Sequence, residues 1–317
     1  MDNTTRKYPV GIQTFSEIRK GHYLYIDKTE MIWKMTRVKF VFLSRPRRFG
    51  KSLLTTTLAS YFEGQRELFT GLKILELEKE WLQYPVIHVD LSQAKYQSSA
   101  IELQRAIALQ LKPYFTKYGK DDDEETPGEM LSGLIRRAYE LTDRQVVVLI
   151  DEYDAPLFDV LDEGLQPEYR RVLQEFYQPL KANEAMIRFC FITGITKFSQ
   201  LSIFSTINNL TNVSMHSDFE CICGITEDEL ITQMRPDIEM LADKMGKSYE
   251  QTLDDLKCMY DGYHFSKGMT DLYNPFSLMK AMQLAESASI GSRAPHRVRL
   301  SPCCVRCRPS TSATWME

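Results

Sequence analysis

Long hydrophobic runs are missing from this 317-residue sequence, since none approaches the ~18 consecutive apolar residues that a membrane-spanning helix needs. The first seven residues, MDNTTRK, contain no apolar segment of the kind found in a secretory signal peptide. The seven cysteines are odd in number and lack the spacing of a disulfide framework. We therefore expect a cytoplasmic protein with reduced cysteines and no membrane partner.

An excess of positive charge is also missing. The formal net charge is −4, and 43% of the residues are hydrophobic and 26% charged, a balance typical of globular proteins. Bulk charge therefore gives no reason to expect a nucleic-acid-binding protein, although a local nucleic-acid surface stays open. The length suffices for one large α/β domain and a smaller second one.

The most informative stretch is an apolar run at 41–43 followed by SRPRRFGKS at 44–52 and a further helical pattern. This order predicts a buried strand, a tight turn and a helix that begins near Gly50. The N-terminus of a helix offers free backbone N–H groups and positive dipole charge, which suit a phosphate. Lys51 would add a cation for the terminal phosphates, and the Ser52 hydroxyl would bind Mg²⁺.

The stretch departs from the usual phosphate-loop pattern G-x-x-x-x-G-K-[ST], because Arg45 occupies the first glycine position. An ordinary basic turn between a strand and a helix is the alternative interpretation. The predicted nucleotide-binding residues are Arg47, Arg48, Phe49, Gly50, Lys51, Ser52 and Leu53.

A second apolar run, at 146–150, is followed by the carboxylates of Asp151 and Glu152. A run that is apolar on both faces predicts a central strand of a parallel sheet, and ligands bind at the carboxyl ends of such strands. We expect Asp151 to hold Mg²⁺ with Ser52, and Glu152 to deprotonate a water aimed at the γ-phosphate. The alternative is a buried strand that ends in a solvated acidic turn.

A third strand is predicted at 187–194. In NTPases with an extra strand between the two phosphate motifs, a polar residue at this strand end senses the γ-phosphate. Thr193 and Thr196 are the candidates, and we assign the catalytic role to Thr193 beside Lys51 and Glu152. A helix cap or turn is an equally good interpretation of both threonines. No Asn-Lys-x-Asp motif for guanine occurs, which favours ATP over GTP.

Strands that alternate with helices predict an α/β fold with a parallel P-loop NTPase sheet of the additional-strand type. We expect a segment flanking the nucleotide site at 1–36, the ATPase core at 37–215 and a small helical, lid-like domain at 216–285. A capping box at Thr226 predicts that one helix of this domain runs to about Met245. Arg235 on that helix is one candidate for reaching the γ-phosphate.

The sequence resembles bacterial AAA-ATPase-like proteins, many of which carry a C-terminal PD-(D/E)xK nuclease-like domain. The resemblance covers roughly residues 7 to 284. The motifs that carry it are YPVGI at 8–12, YIDKT at 25–29, SRPRRFGKS at 44–52, DEYDAP at 151–156, KFS at 197–199, FSTINNL at 204–210, YDGY at 260–263 and YNPFS at 273–277. The resemblance implies an ATPase, and it implies that the missing first glycine is usual for the family.

Residues 286–317 differ in composition from the rest of the chain. After Glu286 they contain five Arg, no Lys and one acidic residue, together with many Ser and Pro. We expect this basic tail to be disordered or to be non-native in its reading frame. No nuclease constellation follows residue 285, so the chain alone is not expected to cut DNA.

The function predicted from the sequence is Mg²⁺-dependent ATP binding and hydrolysis, coupled to an unknown protein partner. The alternative is a nucleotide-dependent switch with little turnover, associated with a nuclease or defence system. The sequence is compatible with a homo-oligomer and with nucleic-acid binding, and it decides neither.

Overall fold

The computed structural model describes residues 6–94, 98–158, 164–196, 209–265 and 271–290. The chain divides into two compact units. We call residues 12–21 and 27–223 the sheet unit, and residues 1–11, 22–26 and 224–317 the helical unit. The domain limits drawn from the sequence stay a prediction.

The sheet unit alternates helices and strands, as the sequence pattern predicts. In chain order they are α1 (Phe15–Lys20), α2 (Thr29–Met35), β1 (Phe40–Ser44), α3 (Lys51–Phe62), α4 (Ile74–Leu77), β2 (Val86–Asp90), α5 (Ala100–Tyr118), α6 (Pro127–Thr142), β3 (Val146–Asp151), α7 (Ala155–Phe158), α8 (Gln166–Ala182), β4 (Ile187–Gly194) and β5 (Thr211–Asn212). Short 3-10 helices occur at Arg66–Phe69, Leu91–Ala94, Glu184–Met186 and Ser217–Phe219.

Within the described residues, the sheet has five strands in the order β2-β3-β4-β1-β5, and every neighbouring pair is parallel. Strand β4 therefore lies between β1 and β3. The carboxyl ends of the four long strands share one edge, because Asp90 is in register with Asp151 and Ser44 with Gly194. The fold is α/β with a parallel sheet like that of P-loop proteins.

Both faces of the sheet are covered by helices. Val146, Val148 and Ile150 of β3 belong to one buried cluster with apolar residues of α5, α6 and α8. On β4, Phe189 stacks on Phe62 of α3, with ring centroids 5.1 Å apart. Successive strand residues point to opposite faces. All six residues of β3 are therefore buried, which explains why its sequence is a continuous apolar run.

The helical unit contains β6 (Ile225–Thr226), α9 (Glu227–Gln233), α10 (Arg235–Met245), α11 (Tyr249–Tyr260), β7 (Leu272–Tyr273) and α12 (Pro275–Ile290). Strands β6 and β7 pair antiparallel. The Thr226 capping box is present, but the prediction of one helix to Met245 is wrong. Helix α9 ends at Gln233 and α10 begins at Arg235, because Pro236 lacks an N–H and its ring clashes with a preceding helical turn.

Several predicted features fall outside the described residues. They are the tail after residue 290 and the motifs at 197–199 and 204–208. Among the helices that the structure describes, none combines the length and the apolar character needed to cross a bilayer.

Candidate functional site

The loop between β1 and α3 turns sharply before the helix begins. Gly50 is the N-cap of α3 and is left-handed, with φ 88°, and Arg48 two residues earlier has φ 68°. Glycine suits this conformation because it has no Cβ to clash. Turns of this kind bring successive backbone N–H groups together into an anion-binding concavity. The turn therefore presents amides and the positive end of α3 at one place.

Lys51, the first residue of α3, points toward the end of β3. Its side chain is 3% exposed, and its Nζ lies 3.2 Å from Oε1 of Glu152. The same Nζ donates a hydrogen bond of 3.3 Å to the carbonyl of Pro46. Two segments about 100 residues apart in sequence therefore meet at the carboxyl edge of the sheet, as the sequence predicts.

Asp151, the last residue of β3, is buried, with 2% of its surface exposed. Burial raises the pKa of its carboxyl to about 7, while the nearby Ser52 hydroxyl and the charge of Lys51 act in the opposite direction. The nearby carboxylates of Asp90 and Glu152 raise this pKa further. Burial and the two carboxylates thus outweigh Ser52 and Lys51, and the neutral form of Asp151 is favoured up to about pH 7.

Glu152 is held in a backbone conformation that is rare for its residue type. Its φ is 50°, in the left-handed region, and its amide donates 2.9 Å to Oδ1 of Asp151. The side chain is 19% exposed, so its carboxylate is near solvent. Strained non-glycine residues cluster at functional sites, and here the strain falls on the acidic residue that the sequence assigns to catalysis.

Arg45, which stands where the usual phosphate-loop pattern has its first glycine, has a structural role of its own. The side chain is 1% exposed and its guanidinium donates to the carbonyls of Ser214 (2.7 Å), Phe219 (3.1 Å) and Glu220 (3.3 Å). Desolvation lowers its pKa to about 10, which still leaves it charged at neutral pH. Arg45 thus anchors the start of the loop to the segment that follows β5.

The two candidate threonines lie at different points of the β4 end. The Thr193 hydroxyl is buried and donates 2.8 Å to the carbonyl of Leu43, its neighbour on β1. The amide of Thr196 instead donates 2.6 Å to Oδ2 of Asp154. The hydroxyl of Thr193 is therefore engaged with the sheet, and its role as a phosphate sensor stays a prediction.

The other predicted residues have different degrees of exposure. Arg47 and Arg48 are exposed, Phe49 is buried, and Leu53 is half-buried on α3. Arg235, in the helical unit, pairs with Glu239 at 2.8 Å and lies over the ring of Tyr249. The roles of these residues also stay predictions.

Two acidic residues at the edge of the sheet have no role in the sequence-based prediction. Asp90 ends β2 as Asp151 ends β3, so its position after an apolar strand was a usable signal. Asp154 lies in the DEYDAP motif, but its partners come from the end of β4. No local pattern announces a contact between residues more than 40 positions apart.

The site offers an amine, helix amides, a hydroxyl and carboxylates within one region. Within the part of the chain that the structure describes, no group of three or more His, Cys, Asp or Glu side chains could enclose a metal ion. Magnesium usually takes only one or two protein carboxylates together with phosphate oxygens. Ser52 and Asp151 therefore fit a cation that binds with a phosphate ligand.

Comparison with known proteins agrees with this geometry. A family model described as "Predicted AAA-ATPase" matches residues 9–204, well over half of the chain. The chain is also 34% identical over 284 residues to the "Uncharacterized protein in vnfD 5'region" of Azotobacter chroococcum mcd 1, an alignment that covers 89% of this chain and 52% of that relative. The chain thus spans about half the length of that relative. It belongs to the predicted AAA-ATPase family, whose name implies nucleotide binding.

Proposed function

We propose that the chain binds ATP with Mg²⁺ and hydrolyses it. The observation that carries the proposal is the meeting of Lys51 Nζ with Glu152 Oε1 at 3.2 Å, beside Asp151, whose pKa the Ser52 hydroxyl lowers. These are the groups that phosphoryl transfer to water needs: a cation, a metal ligand pair and a base.

Binding of the triphosphate rests on the loop and on α3. The amides at Gly50 and the first turn of α3 would surround the phosphates, because the helix has no side-chain cap there. Lys51 is already held in place by Pro46 and Glu152 and would contact the terminal phosphates. The exposed Arg47 and Arg48 would add positive charge at the entrance.

Ser52 and Asp151 would hold Mg²⁺, which supplies Lewis-acid polarisation of the phosphoryl oxygens when it is bound. Asp151 is buried among carboxylates, and its pKa of about 7 reflects the unfavourable negative charge there. A bound cation would favour the ionised carboxylate. The donor set therefore fits the cation on electrostatic grounds.

Glu152 would act as the base that takes a proton from the attacking water. Its carboxylate is paired with Lys51 before nucleotide arrives. A phosphate that takes over Lys51 would free Glu152 to bind water, so substrate binding itself would prepare the base.

The proposed class is the additional-strand type of P-loop NTPase. The position of β4 between β1 and β3 supports this assignment, since β1 precedes the phosphate loop and β3 carries the carboxylates. The absence of an Asn-Lys-x-Asp motif supports ATP over GTP.

A second candidate is a nucleotide-dependent switch with little turnover. The ion pair between Lys51 and Glu152 favours it, because a base held by a lysine does not activate water. In either case, we propose that nucleotide state is communicated to a partner protein. For the switch, a nuclease or defence system is the proposed context.

The test combines a nucleotide-dependent thermal shift with a phosphate-release assay. Wild type should be stabilised by ATP with Mg²⁺, and more weakly by GTP. Glu152→Gln should keep that shift while phosphate release falls about 10²- to 10⁴-fold, the usual contribution of a general base. Lys51→Ala should lose the shift.

The matched controls are Glu30→Gln and Lys34→Ala, which break an exposed ion pair of the same residue types at 2.8 Å. They should change neither readout. Equal phosphate release from wild type and Glu152→Gln would contradict the proposed hydrolysis and leave the nucleotide-dependent switch as the candidate. No thermal shift with any nucleotide would overturn both candidates.

A further inference from the structure

The turn that follows β3 is joined to the end of β4 by a set of hydrogen bonds. Asp154 is 1% exposed, and its carboxylate accepts from the amides of Ile195 at 3.1 Å and Thr196 at 2.6 Å. Tyr153 adds two more bonds, since its amide donates 3.0 Å to the Thr193 carbonyl and its hydroxyl 3.2 Å to that of Thr196. We call the set formed by Tyr153, Asp154, Thr193, Ile195 and Thr196 the β3–β4 clamp.

Gly194 shows how closely the two segments approach. A Cβ at this position would overlap Oδ1 of Asp154 and the ring of Tyr153. The requirement is steric and not conformational, because Gly194 does not have a positive φ. Only glycine therefore allows the carboxylate to reach the amides of the next two residues.

The clamp is also fixed from the helix side. Tyr177 of α8 is fully buried and donates its hydroxyl 3.1 Å to the carbonyl of Tyr153. The ring of Tyr153 packs edge-on against Phe42 of β1, with centroids 5.4 Å apart. Tyr153 is thus held by three neighbouring elements and has little freedom to move.

Glu152 lies between two fixed points. Asp151 before it is part of the β3 ladder, and Tyr153 after it is part of the clamp. Its φ of 50° is unfavourable for a residue with a Cβ, so the chain would relax if one end were released. The direction of the Glu152 side chain therefore depends on the clamp.

We infer that Asp154 is a positioning residue for Glu152: by binding the amides of Ile195 and Thr196, it fixes the strained turn that aims the Glu152 carboxylate. The inference rests on the proposed role of Glu152 as the base in ATP hydrolysis. Asp154 itself touches backbone amides and needs no contact with substrate. Its inferred effect on the reaction passes through Glu152.

The first experiment measures kcat and KM for two substitutions that weaken the clamp to different degrees. Asp154→Asn is isosteric and keeps one acceptor oxygen, whereas Asp154→Ala removes both. We expect kcat to fall in the order wild type, Asn, Ala, by about 10²-fold for Ala, because small misplacements of a reacting group have effects of that size. KM should stay within about threefold of the wild-type value, and the ATP-dependent thermal shift should be retained, since the phosphate loop is unchanged.

Gly194→Ala weakens the clamp from the other side. The added methyl should displace Asp154 and Tyr153, so this variant should show the same pattern of lower kcat and nearly constant KM. If it binds ATP but hydrolyses it at the wild-type rate, the clamp does not position the base.

A double-mutant cycle separates positioning from a general loss of structure. If Asp154 acts through Glu152, then Asp154→Asn should lower the single-turnover rate of ATP hydrolysis when Glu152 is present. In a Glu152→Gln background, the same substitution should lower that rate no further. Additive losses of rate would overturn the inference, and so would a wild-type kcat in Asp154→Asn and Asp154→Ala.

Asp237→Asn is the matched control, because Asp237 is also buried and hydrogen-bonded but belongs to the helical unit. It should lower the melting temperature without changing kcat per folded molecule. Failure of the proposed function would look different: Glu152→Gln itself would then leave phosphate release unchanged. If Glu152→Gln is inactive and the cycle is additive, only the clamp inference fails.

Discussion

The two units of the molecule each bury an aspartate, and the two carboxylates are treated differently. In the helical unit, Asp237 is 3% exposed and accepts from the Tyr8 hydroxyl and the Arg6 guanidinium, both at 2.6 Å. It also lies in the first turn of α10, where negative charge is favourable. In the sheet unit, Asp151 is as deeply buried but has carboxylates nearby.

The difference teaches how to separate a structural acid from one that awaits a ligand. The charge on Asp237 is balanced by an arginine within the fold, so the residue joins two segments of the helical unit. Burial raises the pKa of Asp151 to about 7, and the charge of Lys51, which pairs with Glu152, offsets this only in part. Perturbed groups of this kind mark functional sites, because their unfavourable energy is relieved only when a ligand binds.

The largest expected effect is on turnover. Asp151→Asn should reduce phosphate release roughly 10³-fold, because loss of a metal ligand removes several kcal/mol of transition-state stabilisation and each 1.36 kcal/mol is a factor of ten. Asp237→Asn should leave turnover within about twofold. An Asp151→Asn variant with wild-type turnover would show that the two aspartates are equivalent after all.

The next effect is the pH dependence of stability. Asp151 ionises near 3.8 in the unfolded chain and near 7 in the folded protein. Between these two pH values the folded state binds a proton that the unfolded chain has released. The stabilisation that results is fully present below pH 3.8 and is lost as the pH rises through about 7. At 1.36 kcal/mol per unit, the loss is roughly 4 kcal/mol at most.

Asp151→Asn removes this titration. Its free energy of unfolding should therefore match that of wild type near pH 4 and exceed it by a few kcal/mol at pH 8, as measured by urea denaturation without nucleotide. A difference that stays constant from pH 4 to pH 8 would contradict the raised pKa.

The smallest effect is expected at the structural aspartate. Asp237→Asn keeps one acceptor but weakens the bonds from Tyr8 and Arg6, so it should lower the free energy of unfolding by about 1–3 kcal/mol. The sign is opposite to that of Asp151→Asn at pH 8. Thermal or urea melts of both variants at pH 8 test this directly, and stabilisation by Asp237→Asn would remove the contrast.

The local elements were largely predictable from the sequence. The helix after the loop begins at Lys51, and the apolar run before Asp151 forms a fully buried strand, as periodicity predicts. These signals are strong because burial on both faces and a glycine at a helix start are written into consecutive residues. The single helix predicted across Met234 is wrong, because Pro236 cannot donate a helical hydrogen bond and a new helix begins at Arg235.

The partners of the site residues were much harder to predict. The engagement of Thr193 with the Leu43 carbonyl depends on the pairing of β4 with β1. The anchor formed by Arg45 depends on a segment about 170 positions away, and the clamp at Asp154 on one about 40 positions away. Side-chain partners at such separations follow from sheet order, which no local pattern encodes.

The sequence by itself therefore determined which chemical groups are present: one lysine at a helix start, one hydroxyl beside it, and two carboxylates at a strand end. Tertiary structure decided which of these groups meet and in what state. Burial of Asp151 beside Asp90, and not its residue type, raises its pKa. The register of parallel strands gathers the groups at one edge of the sheet, because all the carboxyl ends point the same way.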